Sequence, residues 1–342
     1  MKKALVIGID DYPGRPLACC VNDAMAVAQL LQANEDGSSN FDVQLLTTPD
    51  SDVSNRALKK AISRFFKSST ATETAVLYFA GHGIIDPDTD SGHIAGADCR
   101  AGEWGMSLAE LLRLASKAYP TIASSVIILD CCHAGNAGES MDDIATSASV
   151  IGKGVTILTS CNDDETAKEQ GQHGIFTDLL LDALGGACAD IRGNITPASI
   201  YAHIDQILGA HDQRPLYKAN VQRFVTLRQA IPAIPPDVLR KLPVHFPDPD
   251  ESYRLDPSYE PDRENVPEQF RHIPVNPEHA SVFWDLQRYN RQGLVVPVDV
   301  KDMYSAAMQS TACKLTRLGK HYRRLAEKVQ GPVKTGRAVR AG

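Results

Sequence analysis

The sequence has no apolar run that approaches the roughly 18 residues needed to span a membrane, so no transmembrane segment is predicted. The first apolar stretch ends after a few residues at Asp10 and Asp11, which argues against a signal peptide. The cysteines show no C-x-x-C spacing, which argues against a zinc site. We therefore expect a cytoplasmic chain without membrane association, whose cysteines are free thiols or reactive groups rather than disulfides.

The chain has 342 residues, of which 43% are hydrophobic and 23% charged, as in a soluble globular protein of more than one domain. The net charge of −7 hides an asymmetry. The first 280 positions carry −15 and the remainder carries +8. Segments of opposite sign indicate two modules with different roles.

Over the first 230 residues, short apolar runs alternate with amphipathic stretches. Runs such as AVLYFA (75–80), SVIILD (125–130) and VTILTS (155–160) are typical of strands covered on both faces. Strands that alternate with helices predict an α/β fold with a mainly parallel sheet. RFVTLR (223–228) is predicted to close the sheet as an edge strand.

Proline becomes frequent beyond this region, which predicts an extended connector at 231–280 rather than a domain. Helical patterns return after the connector and predict a small basic helical module at 281–330. The last residues, 331–342, are predicted to be a flexible tail.

Two strand ends carry reactive side chains. AVLYFA leads into Gly81-His82-Gly83, and SVIILD leads into Cys131-Cys132-His133. The carboxyl ends of strands in an open α/β sheet form the crevice where ligands bind, and a thiolate nucleophile needs a nearby base. Because side chains alternate along a strand, Cys132 would share a direction with Asp130 while Cys131 packs as a small hydrophobe. We therefore predict Cys132 as nucleophile and His82 as base.

His82 and Cys132 lie 50 positions apart in the sequence. Together with the segments VIGIDDY, LACCVNDA and GIFTDLLLDAL, this pattern resembles the caspase-like cysteine peptidases, specifically the metacaspase and prokaryotic caspase-homologue branch. The resemblance covers about residues 1–230. It implies a caspase-like, mainly parallel six-stranded sheet flanked by helices and a His82–Cys132 dyad. It also implies an oxyanion hole formed by the backbone N–H groups of Gly83 and Cys132, and a regulated protease of bacterial stress or phage defence.

The resemblance also places Asp23 in the substrate pocket, where Asp130 stands in place of the glutamine of animal caspases. Two carboxylates in a partly desolvated cleft favour a protein or peptide substrate with Arg or Lys before the scissile bond. Asp163, Asp164 and Glu165 are candidates for further negative charge. Two structural alternatives stay open: Asp23 could complement the N-terminus of the following helix, and Asp130 could accept backbone hydrogen bonds at its strand end.

Calcium is the one cofactor left open, because many metacaspases require it. Asp86, Asp88 and Asp90 alternate like the start of an EF-hand loop, but Ser91 replaces its turn glycine and Ala97 its bidentate glutamate. Glu139, Asp142 and Asp143 are a second candidate group. No metal ligand is assigned.

The basic module weakly resembles the end of a winged-helix domain, in which a helix leads to "GL-V", a wing follows, and "LT-x-x-G" opens the last helix. A regulatory protein partner or an autoinhibitory contact is favoured over nucleic acid as its ligand. The rival function is a DNA- or protein-binding regulator with a non-catalytic caspase-like scaffold.

Overall fold

The computed structural model describes residues 1–67, 69–132, 151–160, 172–209, 214–264 and 266–330, with Cys132, Val329 and Gln330 described by their backbone alone. The chain divides into two compact units, Met1–Ile231 and Pro232–Gly342. Among the described residues, no helix is both long and apolar enough to cross a membrane.

The first unit is built on a central sheet. The strands of this unit are β1 (Lys2–Gly8), β2 (Asp42–Thr47), β3 (Thr72–Ile85), β4 (Gly92–Ile94), β5 (Met106–Ser107), β6 (Ile122–Cys132), β7 (Val155–Thr159), β8 (Asn194–Ile195), β9 (Leu216–Asn220) and β10 (Arg228–Gln229). Of these, β8 and β10 pair with each other in a separate two-stranded sheet. In the described part of the chain, six of them form the order β2-β1-β3-β6-β7-β9. Only the β7–β9 pairing in this order is antiparallel. The prediction of a mainly parallel sheet flanked by helices is confirmed.

Helices cover both faces of this sheet. They are α1 (Cys20–Gln32), α2 (Asn55–Phe66), α3 (Leu108–Ala118), α4 (Ile175–Asp182), which continues into a π-helical turn at Ala183–Ala187, and α5 (Pro197–Ile207). One apolar core lies between the sheet and α2 and α3, and the other lies between the sheet and α1, α4 and α5. Strands with two covered faces need apolar residues at every position, which explains the unbroken runs in the sequence.

The edge strand differs from the prediction. The strand that closes the sheet is Leu216–Asn220, whereas in 223–228 only Arg228 pairs with another strand, the short β8. Val225 and Leu227 are buried in the core beneath α1, α4 and α5. The alternating apolar pattern of RFVTLR therefore results from packing of this segment under helices, and the segment is not a strand of the central sheet.

The second unit includes the segment predicted as an extended connector. Its helices are α6 (Pro236–Leu239), α7 (Leu242–His245), α8 (Pro277–Arg291), α9 (Met303–Met308) and α10 (Arg317–Gln330), and its strands are β11 (Tyr253–Arg254), β12 (Val295–Val298) and β13 (Ala312–Leu315). Two short 3₁₀ turns lie at Pro257–Tyr259 and Glu268–Phe270.

Proline-rich residues join this unit because their prolines begin helices. Pro236 and Pro243 occupy first-turn positions, where a missing N–H costs nothing, and Val238, Leu242 and Phe246 follow at helical spacing and are buried. The residues at 231–280 are therefore part of a folded unit, contrary to the connector prediction.

The order of elements also corrects the winged-helix resemblance, since helix α9 stands between β12 and β13 where a wing was expected. The "LT-x-x-G" motif has a local explanation. Thr316 Oγ1 donates to the carbonyl of Gly293 at 2.7 Å and accepts from the N–H of Gly319 at 3.0 Å. A Cβ at Gly319 would lie 2.0 Å from the carbonyl oxygen of Leu294, so only glycine fits.

Two buried charged side chains tie the proline-rich residues to helices α8 and α10. Asp285 on α8 accepts from Lys241 Nζ at 2.9 Å and from His245 Nε2 at 3.3 Å. Arg323 on α10 donates to the backbone carbonyls of Phe246 and Pro247. A buried charge is tolerated when it is paired. Removing the partner of either side chain should therefore strongly destabilise the second unit.

We predict that Asp285→Asn lowers the free energy of unfolding of the second unit by about 2–3 kcal/mol, because it leaves Lys241 and His245 facing a neutral amide. Asp250→Asn is the matched control, since Asp250 is 79% exposed and pairs with Lys320 at the surface. That change should cost under about 1 kcal/mol.

The measurement is guanidinium unfolding in a Trp104→Phe background, so that Trp284 of the second unit is the remaining tryptophan. Equal destabilisation by the two asparagine substitutions would contradict a structural role for the buried carboxylate.

Candidate active site

The carboxyl ends of β3 and β6 define the centre of the site. These strands pair in parallel from Thr72 opposite Ile122 to His82 opposite Cys132. The backbones of the predicted base and nucleophile are therefore register partners on adjacent strands. The side chain of Cys132 lies outside the described part of the chain, and so do the residues that follow it up to position 150.

A tight turn after β1 holds the histidine. The N–H of Arg15 bonds the carbonyl of Tyr12 at 3.2 Å, with Pro13 and Gly14 between them and φ of Gly14 at +77°. Proline followed by glycine at positive φ is typical of a type II turn. The turn places the Arg15 carbonyl 2.8 Å from Nε2 of His82. A carbonyl can only accept, so Nε2 carries the proton and Nδ1 is the nitrogen left to accept one.

Tyr12 fixes the same histidine from another side. Its hydroxyl accepts the backbone N–H of His82 at 3.1 Å and donates to the carbonyl of Ala95 at 3.0 Å. Its ring centroid lies 4.5 Å from that of His82. Burial raises the pKa of Tyr12 well above its ordinary value, so the phenol stays a neutral donor. Both the backbone and the ring of His82 are thus held by residues of the VIGIDDY segment and its turn.

Cys131 and Gly83 flank the predicted dyad. Cys131 is only 4% exposed and belongs to the apolar core on the α2/α3 face of the sheet. Gly83 is buried, pairs with Ile94 of β4, and borders an open cleft beside His82. This is where the structure places the glycine predicted to supply one oxyanion donor.

Asp23 lies in the first turn of α1 and is only 2% exposed. Its Oδ1 lies 2.7 Å from Nδ1 of His173, and its Oδ2 accepts the N–H of Gly174 at 3.3 Å. Burial raises the pKa of Asp23 to about 7; the His173 hydrogen bond opposes this rise, and the charge of Asp130 adds to it. A buried carboxylate this perturbed is typical of a functional site.

Asp130 is the partly buried carboxylate at the end of β6. Its Oδ2 accepts the hydroxyl of Thr177 at 2.6 Å, and Thr177 Oγ1 lies 2.6 Å from the hydroxyl of the fully buried Tyr78. Burial raises the pKa of Asp130, while hydrogen bonds from Thr177 and Ser160 oppose this rise. One of these bonds comes from the backbone of Thr177, as the structural alternative anticipated.

The two carboxylates face one space. A Cβ built on Gly174 would lie 3.4 Å from Oδ2 of Asp23 and 3.4 Å from Oδ2 of Asp130. Both oxygens therefore lie within reach of one cation placed beside Gly174. The structure brings the two predicted substrate-binding residues together at this glycine.

The packing of α1 against β1 positions Asp23. A Cβ at Gly8 would lie 2.3 Å from the carbonyl oxygen of Cys20, so the helix approaches the strand as only glycine permits. Asp10 accepts the N–H groups of Cys20 and Val21 at 2.8 and 3.2 Å. The first turn of the helix thus receives its side-chain hydrogen bonds from Asp10, and Asp23 points its oxygens at His173 and Gly174 instead.

The calcium candidates are only partly described. Asp86 accepts the N–H of Asp88 at 3.0 Å and the hydroxyl of Thr89 at 2.8 Å, and so stabilises the turn between β3 and β4. Among the described residues no group of three His, Cys, Asp or Glu side chains is arranged to hold a metal. Glu139, Asp142 and Asp143 lie outside those residues, as do Asp163, Asp164 and Glu165.

Two groups at the site escaped the sequence analysis. The only sequence feature that could have pointed to His173 is its position directly before the glycine of GIFTDLLLDAL. The Arg15 carbonyl has no sequence signal of its own, although the Pro13-Gly14 pair does predict the turn that presents it.

The first unit is thus an α/β domain with a mainly parallel sheet and helices on both faces, in which the backbones of His82 and Cys132 lie in register at adjacent strand ends. A family model described as the caspase domain matches residues 1–225, and the chain belongs to this family. It is therefore a cysteine peptidase in kind, whose substrate is a protein or peptide.

Two solved structures are similar to 67% of the chain. One is a structural-genomics target from Geobacter sulfurreducens, with 18% identity, a TM-score of 0.47 and 96% of its own chain covered. The other is caspase-1 from Spodoptera frugiperda, with 12% identity, a TM-score of 0.48 and 90% covered. No curated protein matches the sequence.

The coupling of the two carboxylates predicts opposite responses to two substitutions. Asp130→Asn should lower the pKa of Asp23 below about 7, because it removes a negative charge that raises it. His173→Leu should raise that pKa, because it removes a hydrogen bond to the charged form. NMR titration of ¹³C-labelled aspartate carboxyls checks both, with the exposed Asp36→Asn as control. Shifts of the same sign would contradict this arrangement.

Proposed function

We propose that this protein is a cysteine endopeptidase that cleaves after Arg or Lys with a His82–Cys132 dyad. The proposed specificity rests on the closeness of Asp23 and Asp130, since an Oδ2 atom of each would lie 3.4 Å from a Cβ built on Gly174. The observation that carries the dyad is the register of His82 with Cys132 at the ends of adjacent strands.

In the proposed reaction, Nδ1 of His82 takes the proton of the Cys132 thiol, and the thiolate attacks the carbonyl carbon of the scissile amide. The resulting oxyanion is stabilised by the N–H groups of Gly83 and Cys132. When the C–N bond breaks, His82 returns its proton to the departing amine. Water then attacks the thioester, again with His82 as base, releasing the carboxylic acid and restoring the thiol. The Arg15 carbonyl keeps the other proton of His82 on Nε2 throughout.

The acidic pair selects a cationic residue before the scissile bond. Two carboxylates with raised pKa values have lost much of their hydration, and a guanidinium restores charge compensation on both. Arg suits the pair better than Lys, because its planar fork can bond two carboxylates at once while an ammonium acts as a point charge. A neutral residue would add no positive charge beside the two carboxylates and should be cleaved poorly.

On the family resemblance, we propose that the protein is a regulated bacterial protease of stress or phage defence. Its activity would be controlled through its basic C-terminal residues or through calcium. The −15 charge of the first 280 residues and the +8 of the rest are of the signs needed for electrostatic control.

The dyad predicts that Cys132→Ala and His82→Ala each lower kcat by about a thousandfold or more, and that combining them adds little. Cys131→Ser is the matched control and should retain most activity. The assay is hydrolysis of a peptidyl-Arg fluorogenic substrate, together with labelling by a peptidyl-Arg electrophile. A non-catalytic scaffold would not be labelled, and equal loss in the Cys131 and Cys132 variants would refute the choice of nucleophile.

The acidic pair predicts that Gly174→Ala blocks the pocket without disturbing the fold. The new methyl group would make ordinary contacts at 3.4 Å with both carboxylates and occupy the space the guanidinium needs. Displacing a charge-paired group of this kind costs about 2 kcal/mol or more, so kcat/KM should fall about thirtyfold or more for Arg substrates.

Gly185→Ala is the matched control, because nothing lies within 4 Å of its added Cβ. Thermal unfolding checks that both variants remain folded. Unchanged kcat/KM in a folded Gly174→Ala variant would exclude this space as the binding pocket.

A further inference from the structure

A cleft of about 930 Å³ opens beside His82 and Gly83, separate from the acidic pair. It extends between the turn after β1 and the segment that leads into β5. Its wall carries a group of apolar and aromatic side chains: Tyr12, Leu17, Ile84, Ile85 and Trp104. Nothing in the proposed mechanism so far uses this space.

The cleft and the acidic pair lie on opposite faces of the sheet. Tyr12 and Leu17 pack with the core between the sheet and helices α2 and α3. Asp23 belongs to α1, and Asp130 bonds Thr177 of α4, both on the other face. The carboxyl ends of β3 and β6 separate the two sites. A peptide that crosses this edge can therefore reach both.

The chemistry of the dyad decides which part of a substrate meets the cleft. The base that took the thiol proton must deliver it to the departing amine, so the residues after the scissile bond leave past His82. The His82 ring packs on Tyr12, which is itself part of the cleft wall. With the cationic residue at Asp23 and Asp130, the chain after the scissile bond enters the cleft.

The lining determines what the cleft accepts. Of its two arginines, Arg100 is paired with Glu103 at 2.9 Å, and Arg15 lies at the exposed turn. The charge of Arg100 is compensated by Glu103, and the guanidinium of Arg15 opposes a basic residue. The indole of Trp104 is held by a hydrogen bond to Asp86, and beside it the apolar side chains of Ile84 and Ile85 share the wall with polar groups. This surface buries a large apolar side chain and offers little to a small one.

We propose that this cleft is a specificity site for a large apolar side chain in the first two positions after the scissile bond. The inference rests on the proposed peptidase function and deepens it. The preferred substrate would then have a cation before the cleaved bond and a large apolar side chain after it.

The test uses internally quenched peptides that share Arg before the scissile bond and carry Leu-Leu, Gly-Gly or Lys-Lys after it. The full-length protein should cleave the Leu-Leu peptide with kcat/KM about tenfold above the Gly-Gly peptide, as expected for an apolar pocket, and the Lys-Lys peptide least well. Trp104→Ala should reduce the Leu-Leu to Gly-Gly ratio to about threefold or less, and Trp104→Phe should restore most of it.

Trp284→Ala is the matched control, because Trp284 is the other tryptophan, is 50% exposed and belongs to the second unit. It should leave the ratio unchanged. A ratio near one in the parent protein, or one that survives Trp104→Ala, would overturn the specificity site while leaving cleavage after Arg intact. If none of the three peptides is cut and Cys132 is not labelled by a peptidyl-Arg electrophile, the proposed peptidase function itself has failed. If Trp104→Ala does not fold, the Leu-Leu to Gly-Gly ratios of the parent protein and of Trp104→Phe still test the proposal.

Discussion

The parallel register of β3 with β6 is the constraint on which the candidate site depends. It sets His82 opposite Cys132, and side chains on a strand alternate, so a slip of one residue would exchange the faces of every later side chain. Two large fully buried residues oppose such a slip. Phe79 fills the core on the α2/α3 face, and Tyr78 fills the core on the other. The burial of these rings and the geometry of the site are therefore fixed by one pairing.

The same strand pair links the core to the acidic residues. Tyr78 bonds Thr177, and Thr177 bonds Asp130, so a phenol in the core helps to hold a carboxylate at the strand end. Both aspartates carry raised pKa values, which means that their charged forms are destabilised by burial. Desolvation of both carboxylates costs the folded protein free energy, which their hydrogen bonds from His173, Gly174 and Thr177 offset only in part. Perturbed carboxylates of this kind are common at functional sites, which supports the proposal that the pair binds a cation.

How much the sequence could predict depended on the kind of signal each feature leaves. The central strands were recognisable because burial on both faces requires an unbroken apolar run, as in SVIILD. The roles predicted for His82, Cys132 and Asp130 stay predictions; they rest on reactive side chains at or just after the ends of such runs. The proline-rich residues at 231–280 were wrongly predicted to form an extended connector, since Pro236 at a helix start looks the same in sequence as a proline that ends a helix. The Arg15 carbonyl could not be found, because every residue has one and only the fold decides which is used.

The turn from Tyr12 to Arg15 contacts His82, the proposed base, and also borders the cleft proposed to bind substrate. Its Arg15 carbonyl accepts a hydrogen bond from Nε2 of His82, while Tyr12 and Leu17, two residues beyond the turn, line part of the cleft. Pro13 and Pro16 restrict the backbone on both sides of Gly14, which helps to hold the Arg15 carbonyl in place. In the proposed specificity site, a substrate side chain packed against this wall would contact the same segment that sets the tautomer of His82. Binding after the scissile bond would then be coupled to the proposed proton transfer at His82 through one short turn.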